Sequence, residues 1–245
     1  MSNLFRLLTD GKSRIAILID PEKNTDVLLF KQQIQHLASA NPDLFLVGGS
    51  TATRRQTESC IDVLRQSTQL PITLFPGSSE QFSKNADALL FLTLLTSRNP
   101  KYLIEEQIKS AIEVVDSGIE TISTGYLLID GGTVTSTLRI TESAPIAQDA
   151  LSLIHQTALA GSLIGHQAMY LDAGSGASKP ISEEIIRRIS NVTKLLIIGG
   201  GIRSIEAIEL AHKAGANLVV IGNHLESSPD FAKEIAAYQK KRNNP

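Results

Sequence analysis

Three stretches of this 245-residue chain hold residue types that can work on a phosphorylated substrate. Residues 170–177 read YLDAGSGA, 197–204 read IIGGGIRS and 220–223 read VIGN. In each, an apolar run meets glycine, which lets main-chain N–H groups come close to an anion. Asp172 stands just ahead of Gly174, Ser175 and Gly176, where a carboxylate is a candidate general base beside a bound phosphate. A solvated loop acid is the plainer reading of that residue. Gly200 with Gly201, and Gly222 with Asn223, offer two further anion-facing turns, against the alternative that they only turn the chain. His224 follows directly; a solvated loop histidine is its more ordinary reading.

Two more stretches suit a cation. LIDPEK (18–23) puts Asp20 at the end of an apolar run, and the second run ends in VGGST (47–51), which brings a hydroxyl at Ser50. One carboxylate with one hydroxyl is a thin protein cage. It is enough for Mg2+, which keeps its waters and shares substrate phosphates. A helix-capping aspartate is the alternative. None of the five histidines lies in a ligand-spaced cluster, which argues against zinc.

The glycines do not spell a dinucleotide site. That motif needs a third glycine where Ser204 stands, and an acid after the next strand, where Ile221, Gly222 and Asn223 stand. Phosphate-binding barrels instead use the loops after strands seven and eight.

The elements that must carry these residues follow the same logic. Eight short apolar runs, at 14–20, 43–49, 71–77, 86–93, 120–129, 168–174, 194–200 and 217–223, alternate with segments of helical period. Their unbroken Ile, Leu and Val content suits parallel strands buried on both faces. In the segment after the fourth run, Ile104, Ile108, Ala111, Ile112 and Val115 make one apolar stripe. This count and length predict an α/β fold, a (βα)8 TIM barrel in one domain spanning 1–245, modified at the third helix, where SSEQFSKNA (78–86) is short. The stretch 130–166 leaves a nine-strand count or an open sheet as alternatives. Apolar residues persist towards the mouth after strands four and five, so Leu94, Leu95, Tyr126, Leu127 and Leu128 form either a channel for a hydrocarbon or ordinary packing.

Composition narrows the partners. A net charge of −2, 4% aromatic residues and no Trp argue against nucleic acid. The lone Cys60, among helical apolar residues, reads as a buried thiol in a reducing cytoplasm. The start carries Arg6 within its apolar patch and no small-residue cleavage site, unlike a signal peptide. No apolar run nears the ~20 residues of a membrane span.

Taken in order, LIDPEK, LVGGST, LFPGS, LTSRNP, YLDAGSGA, IIGGGIRS and VIGN resemble the geranylgeranylglyceryl phosphate synthase family, its second group, from residue 15 to 223. The resemblance implies a Mg2+-dependent prenyltransferase on a modified barrel, joining sn-glycerol 1-phosphate to geranylgeranyl diphosphate in ether lipid synthesis. It implies Asp20 and Ser50 as Mg2+ positions. For glycerol phosphate it implies Tyr170, Leu171, Asp172, Ala173, Gly174, Ser175, Gly176, Gly200, Gly201, Gly222 and Asn223. Asp172 becomes the base, where the family pattern carries Glu. It further implies a cytoplasmic homo-oligomer, dimer or hexamer, with room for transient membrane contact. A flavin or sugar-phosphate barrel, or a non-catalytic phosphate sensor, are the competing readings.

Overall fold

The computed structural model describes residues 3–23, 27–222, 224–225 and 228–243. Eight parallel strands close into a barrel in chain order. They are β1 Arg14–Ile19, β2 Leu44–Val47, β3 Ile72–Leu74, β4 Ala88–Leu94, β5 Glu120–Leu128, β6 Ala168–Asp172, β7 Leu195–Gly199 and β8 Leu218–Ile221. The described helices are α1 Leu4–Leu8, α2 Val27–Ala38, α3 Arg54–Ser67, α4 Glu106–Ser117, α5 Ser136–Thr141, α6 Leu151–Leu163, α7 Glu183–Ser190, α8 Ile205–Lys213 and α9 Pro229–Asn243.

Side chains alternate across each strand, so one sequence feeds two cores. Ala16, Leu44, Leu46, Leu90, Ile122, Ile197 and Leu218 pack inside the barrel, whereas Ile15, Ile17, Phe45, Leu196 and Ile198 pack under the helices. Both sets are buried, which is why the runs read as continuous apolar sequence. The lower end is plugged by α1. Leu4 and Leu8 join the inner core, and the Glu120 carboxylate accepts the Leu4 and Phe5 N–H groups at 2.6 and 2.7 Å. Those amides are otherwise orphaned at a helix start.

Between β3 and β4 the expected helix is replaced by a single 3-10 turn, Ser79–Gln81. The stretch 130–166 adds no ninth strand. It holds α5, one parallel bridge of Ile146 to Ile129, and then α6. A one-turn π segment, Lys101–Glu105, leads into α4. The apolar stripe of α4 exists but faces out. Gln107, Ser110 and Val114 are buried, while Ile104, Ile108, Ile112 and Val115 are 53, 65, 78 and 77% exposed. No helix among the described residues is long and apolar enough to cross a membrane.

Candidate active site

The strand register sets the site. Leu128 pairs with Asp172, Asp172 with Gly199, and Gly199 with Val220, which brings these residues to one level at the carboxyl rim. A cavity of about 520 Å3 opens there. Asp20, Ser50, Tyr170, Asp172, Gly174, Ser175, Gly176, Gly200, Gly201, Gly222 and His224 all border it. One mouth therefore gathers the predicted residues of five loops.

Main-chain donors make the anion side. The N–H groups of Gly176, Gly200, Gly201 and Gly222 find no acceptor among the described residues. Gly200, Gly201 and Gly222 are half-buried, and amides in that condition call for a partner, whereas Gly176 is exposed. Gly200 and Gly201 have φ of +80° and +71°, a region closed to most L-residues. A Cβ on Gly200 would stand 2.6 Å from the Gly174 nitrogen and 2.8 Å from Asp172 Oδ1. Glycine is required here by both torsion and space. Arg203 binds the two loops together, its guanidinium donating to the Ala177 carbonyl at 2.9 Å. The helix behind them, α8, is capped by Ser204, whose side chain accepts from the Ala207 N–H.

Asp172 points into the lumen and is 9% exposed. Tyr126 donates its hydroxyl to Oδ2 at 2.6 Å, and the Gly174 N–H donates to Oδ1 at 2.7 Å. Burial pushes the carboxyl up from its ordinary value, while these two donors pull it part of the way back. The Gly174 amide is thus committed to Asp172 and not to an external anion. Tyr126 and Tyr170, both beside this carboxylate and buried, have hydroxyls held well above the usual phenol range. With Phe75 they form an aromatic cluster. Phase by phase round the ring, Phe75 stacks on Tyr170 at 4.9 Å, Tyr170 meets Tyr126 edge-on at 5.4 Å, and Tyr126 tilts against Phe75 at 5.8 Å. Sequence reading placed Tyr126 only in an apolar channel and not beside Asp172, and it missed Phe75, although the aromatic in LFPGS marked that position.

Not every predicted contact faces the cavity. Leu171 and Ala173 point the other way, into the layer beneath the helices, as alternation along β6 demands. The Ala173 N–H is taken by the Gly199 carbonyl at 3.0 Å. Asn223 lies outside the described residues.

The cation side fits a hard metal. A Cβ on Gly49 would lie 2.5 Å from Asp20 Oδ1 and 3.4 Å from Glu22 Oε1, so two carboxylates converge beside Ser50. Glu22 already accepts from the Thr51 N–H and hydroxyl at 2.7 and 2.6 Å. Among the described residues there is no cluster of three or more His, Cys, Asp or Glu side chains. Two carboxylates and a hydroxyl are a donor set that suits Mg2+, whose remaining oxygens come from water and substrate phosphates. Cys60 is buried and its thiol is pushed up by burial, so it takes no part.

An apolar arm leaves this mouth sideways. Leu94 and Tyr126 line the cavity as expected, but Leu95 and Leu127 face the outer layer and Leu128 packs within the lumen. The arm is built instead by Phe82, Leu89, Phe91, Leu92, Tyr102 and Ile140. Leu89 and Phe91 belong to the outer layer, so the cavity passes outside the strand ring. It does so where a full third helix would have packed. Gln107 closes its wall, donating to the Leu92 carbonyl.

Comparison with known proteins agrees with this geometry. The model of the PcrB family matches residues 11–240. The chain is 46% identical over 218 residues to a geranylgeranylglyceryl phosphate synthase of Zunongwangia profunda, covering 89% of this chain and 92% of that protein. It is 41% identical over 218 residues to one from Methanopyrus kandleri, covering 89 and 88%. The crystal structure of (S)-3-O-geranylgeranylglyceryl phosphate synthase from Thermoplasma acidophilum, in complex with substrate sn-glycerol-1-phosphate, superposes with a TM-score of 0.88 at 29% identity over 96% of each chain. Barrel, loops and sequence converge, and the chain belongs to the PcrB family, among the geranylgeranylglyceryl phosphate synthases.

Proposed function

We propose that this protein transfers a geranylgeranyl group from geranylgeranyl diphosphate to the C3 hydroxyl of sn-glycerol 1-phosphate, yielding geranylgeranylglyceryl phosphate and diphosphate for ether lipids. One observation carries the reading: four unclaimed amides, a buried carboxylate and an apolar arm share one cavity with Asp20.

Each part then has a task. The amides of Gly176, Gly200, Gly201 and Gly222, together with Asn223, hold the phosphate of the acceptor and fix its orientation. Tyr170 and Ser175 border the same ligand. The C3 oxygen forms a bond to prenyl C1 as the C1–oxygen bond to diphosphate breaks, and diphosphate leaves with the electron pair. Asp172 accepts the hydroxyl proton, its raised carboxyl making it a better base than an exposed aspartate. Tyr126 keeps that carboxylate aimed. Asp20 and Ser50 would hold Mg2+, which supplies neutralisation of charge on the departing diphosphate. The apolar arm shelters the twenty-carbon tail, each buried CH2 contributing about 0.8 kcal/mol. The reading carries with it a cytoplasmic homo-oligomer that meets membranes only when its lipid product leaves.

The test is an incubation with Mg2+, sn-glycerol 1-phosphate and prenyl diphosphates of ten to thirty-five carbons, followed by lipid extraction and diphosphate release. The expected result is one ether lipid phosphate formed with one diphosphate, fastest with the C20 donor. Absence of product from every donor would sink the assignment.

A further inference from the structure

The single turn that stands in for a third helix ends in a buried glutamine set back from the cavity. Gln81 is 1% exposed and lies behind the cavity wall, whereas Gly49, Ser50, Gly77 and Ser79 line it. Its carboxamide joins two loops. Nε2 donates to the Gly49 carbonyl at 2.9 Å, and Oε1 accepts the Gly77 N–H at 3.0 Å. An apolar side chain of the same size offers neither group.

The strand ladder explains why a tie matters at this place. Where β2 and β3 end, the Phe75 N–H donates to the Val47 carbonyl at 2.8 Å. Beyond that bond the two loops leave the sheet, yet they stay in close contact. A Cβ on Gly77 would stand 2.5 Å from the Gly49 carbonyl oxygen. A full helix after β3 would cover this spot with apolar side chains, and the short turn brings an amide instead. The turn itself is pinned to α4, because Glu106 accepts the Ser79 N–H and hydroxyl, both at 2.8 Å.

What Gln81 holds is the peptide between Gly49 and Ser50. In a planar trans peptide the C=O and N–H point in opposite directions. With the Gly49 carbonyl drawn to Gln81 behind the wall, the Ser50 N–H is turned to the side away from Gln81. That N–H finds no acceptor among the described residues. On the far side Glu22 accepts the Thr51 N–H and hydroxyl, so Ser50 is fixed at both ends. We infer, resting on the prenyl transfer proposed above, that Gln81 is a positioning residue for the donor half of the reaction. By fixing the Gly49–Ser50 peptide it keeps the Ser50 N–H and hydroxyl aimed together at the diphosphate and its Mg2+. The acceptor half is held by the loops after β6, β7 and β8, to which the Gln81 carboxamide makes no bond. Loss of Gln81 therefore separates the two halves.

Two substitutions in the full chain test this role. Gln81→Met keeps the volume and removes both bonds. Gly77→Ala leaves Gln81 in place and pushes a methyl against the Gly49 carbonyl, displacing the same peptide. Calorimetry with Mg2+ and inorganic diphosphate, and separately with sn-glycerol 1-phosphate, reads the two halves without turnover. In both variants Mg2+-diphosphate binding is expected to weaken about tenfold, and KM for geranylgeranyl diphosphate to rise alike. Binding of sn-glycerol 1-phosphate is expected to stay within about twofold of wild type, because its site is separate. That retained binding also shows the variant to be folded; should Gln81→Met not fold, Gly77→Ala carries the test alone. Equal weakening of both ligands, or a lowered thermal midpoint with both affinities unchanged, marks a merely structural tie and overturns the proposal. A wild type that makes no prenyl product sinks the assigned function as well, whereas an active wild type with unaltered variants sinks only the role of Gln81.

Discussion

The Tyr126 hydroxyl donates to Asp172 Oδ2 at 2.6 Å, joining two residues 46 positions apart in the lumen. This contact holds the proposed base in one rotamer and opposes the upward push of burial on its carboxyl. Tyr126→Phe keeps the ring among Phe75 and Tyr170 but removes the donor. The carboxyl then rises further, so the acid limb of kcat/KM against pH moves to higher pH. A profile unchanged by the substitution contradicts the positioning role.

Asp172→Asn removes the base while preserving shape. Turnover is expected to fall by about 10^2- to 10^4-fold, with sn-glycerol 1-phosphate binding retained by calorimetry. A stability effect follows from the same residue. Its folded carboxyl titrates above the unfolded one, so the folded state holds the proton more tightly. Its contribution is complete below the ordinary carboxylate range and is lost as pH rises through the raised value. Thermal midpoints of Asp172→Asn lack that loss.

Gly200→Ala places a Cβ against Gly174 and Asp172 at a φ of +80°. The backbone alone costs about 1–2 kcal/mol, and the loop must also shift. KM for glycerol phosphate is expected to rise at least tenfold, measured at saturating prenyl donor. An unchanged KM would place the phosphate elsewhere.

Chelation with EDTA is expected to stop turnover and added Mg2+ to restore it. Asp20→Asn raises the Mg2+ concentration needed by about tenfold, since one of few charged ligands is gone. Activity that persists in EDTA rules the metal out of the reaction.

His212 anchors the C-terminal helix away from the site. Its ring nitrogens meet the Tyr238 hydroxyl at 3.2 Å and the Arg14 carbonyl at 3.1 Å. Burial holds its pKa down, to about 4. The unfolded chain binds that proton from about pH 6.5. The stabilisation is therefore full above that point and is lost as pH falls towards 4, by on the order of 2–3 kcal/mol. Denaturant midpoints at pH 7 and 4.5 are expected to differ less in His212→Gln than in the wild type.

Periodicity, glycine placement and strand-end acids are local properties, and those were legible. Eight apolar runs announced eight strands, and the glycines after β6, β7 and β8 announced turns at the cavity mouth, because a turn at an apolar run's end depends on a few adjacent residues. The shortness of SSEQFSKNA marked the third helix as modified, but that only a 3-10 turn forms there emerged from the fold. Beyond that, distance along the chain hid the answer. Nothing local marks Tyr126 as the partner of Asp172, or joins Phe75 to Tyr170, because closure of the barrel alone brings separate strands together. Leu171 and Ala173 were drawn into the site by their neighbours, and strand alternation sent them outward. The isoleucines of α4 show the limit most plainly. A period of 3.6 says which side chains share a face of a helix, and it cannot say which way that face turns. Here Gln107 and Ser110 are needed at the cavity wall, so the apolar face is left pointing away from the barrel.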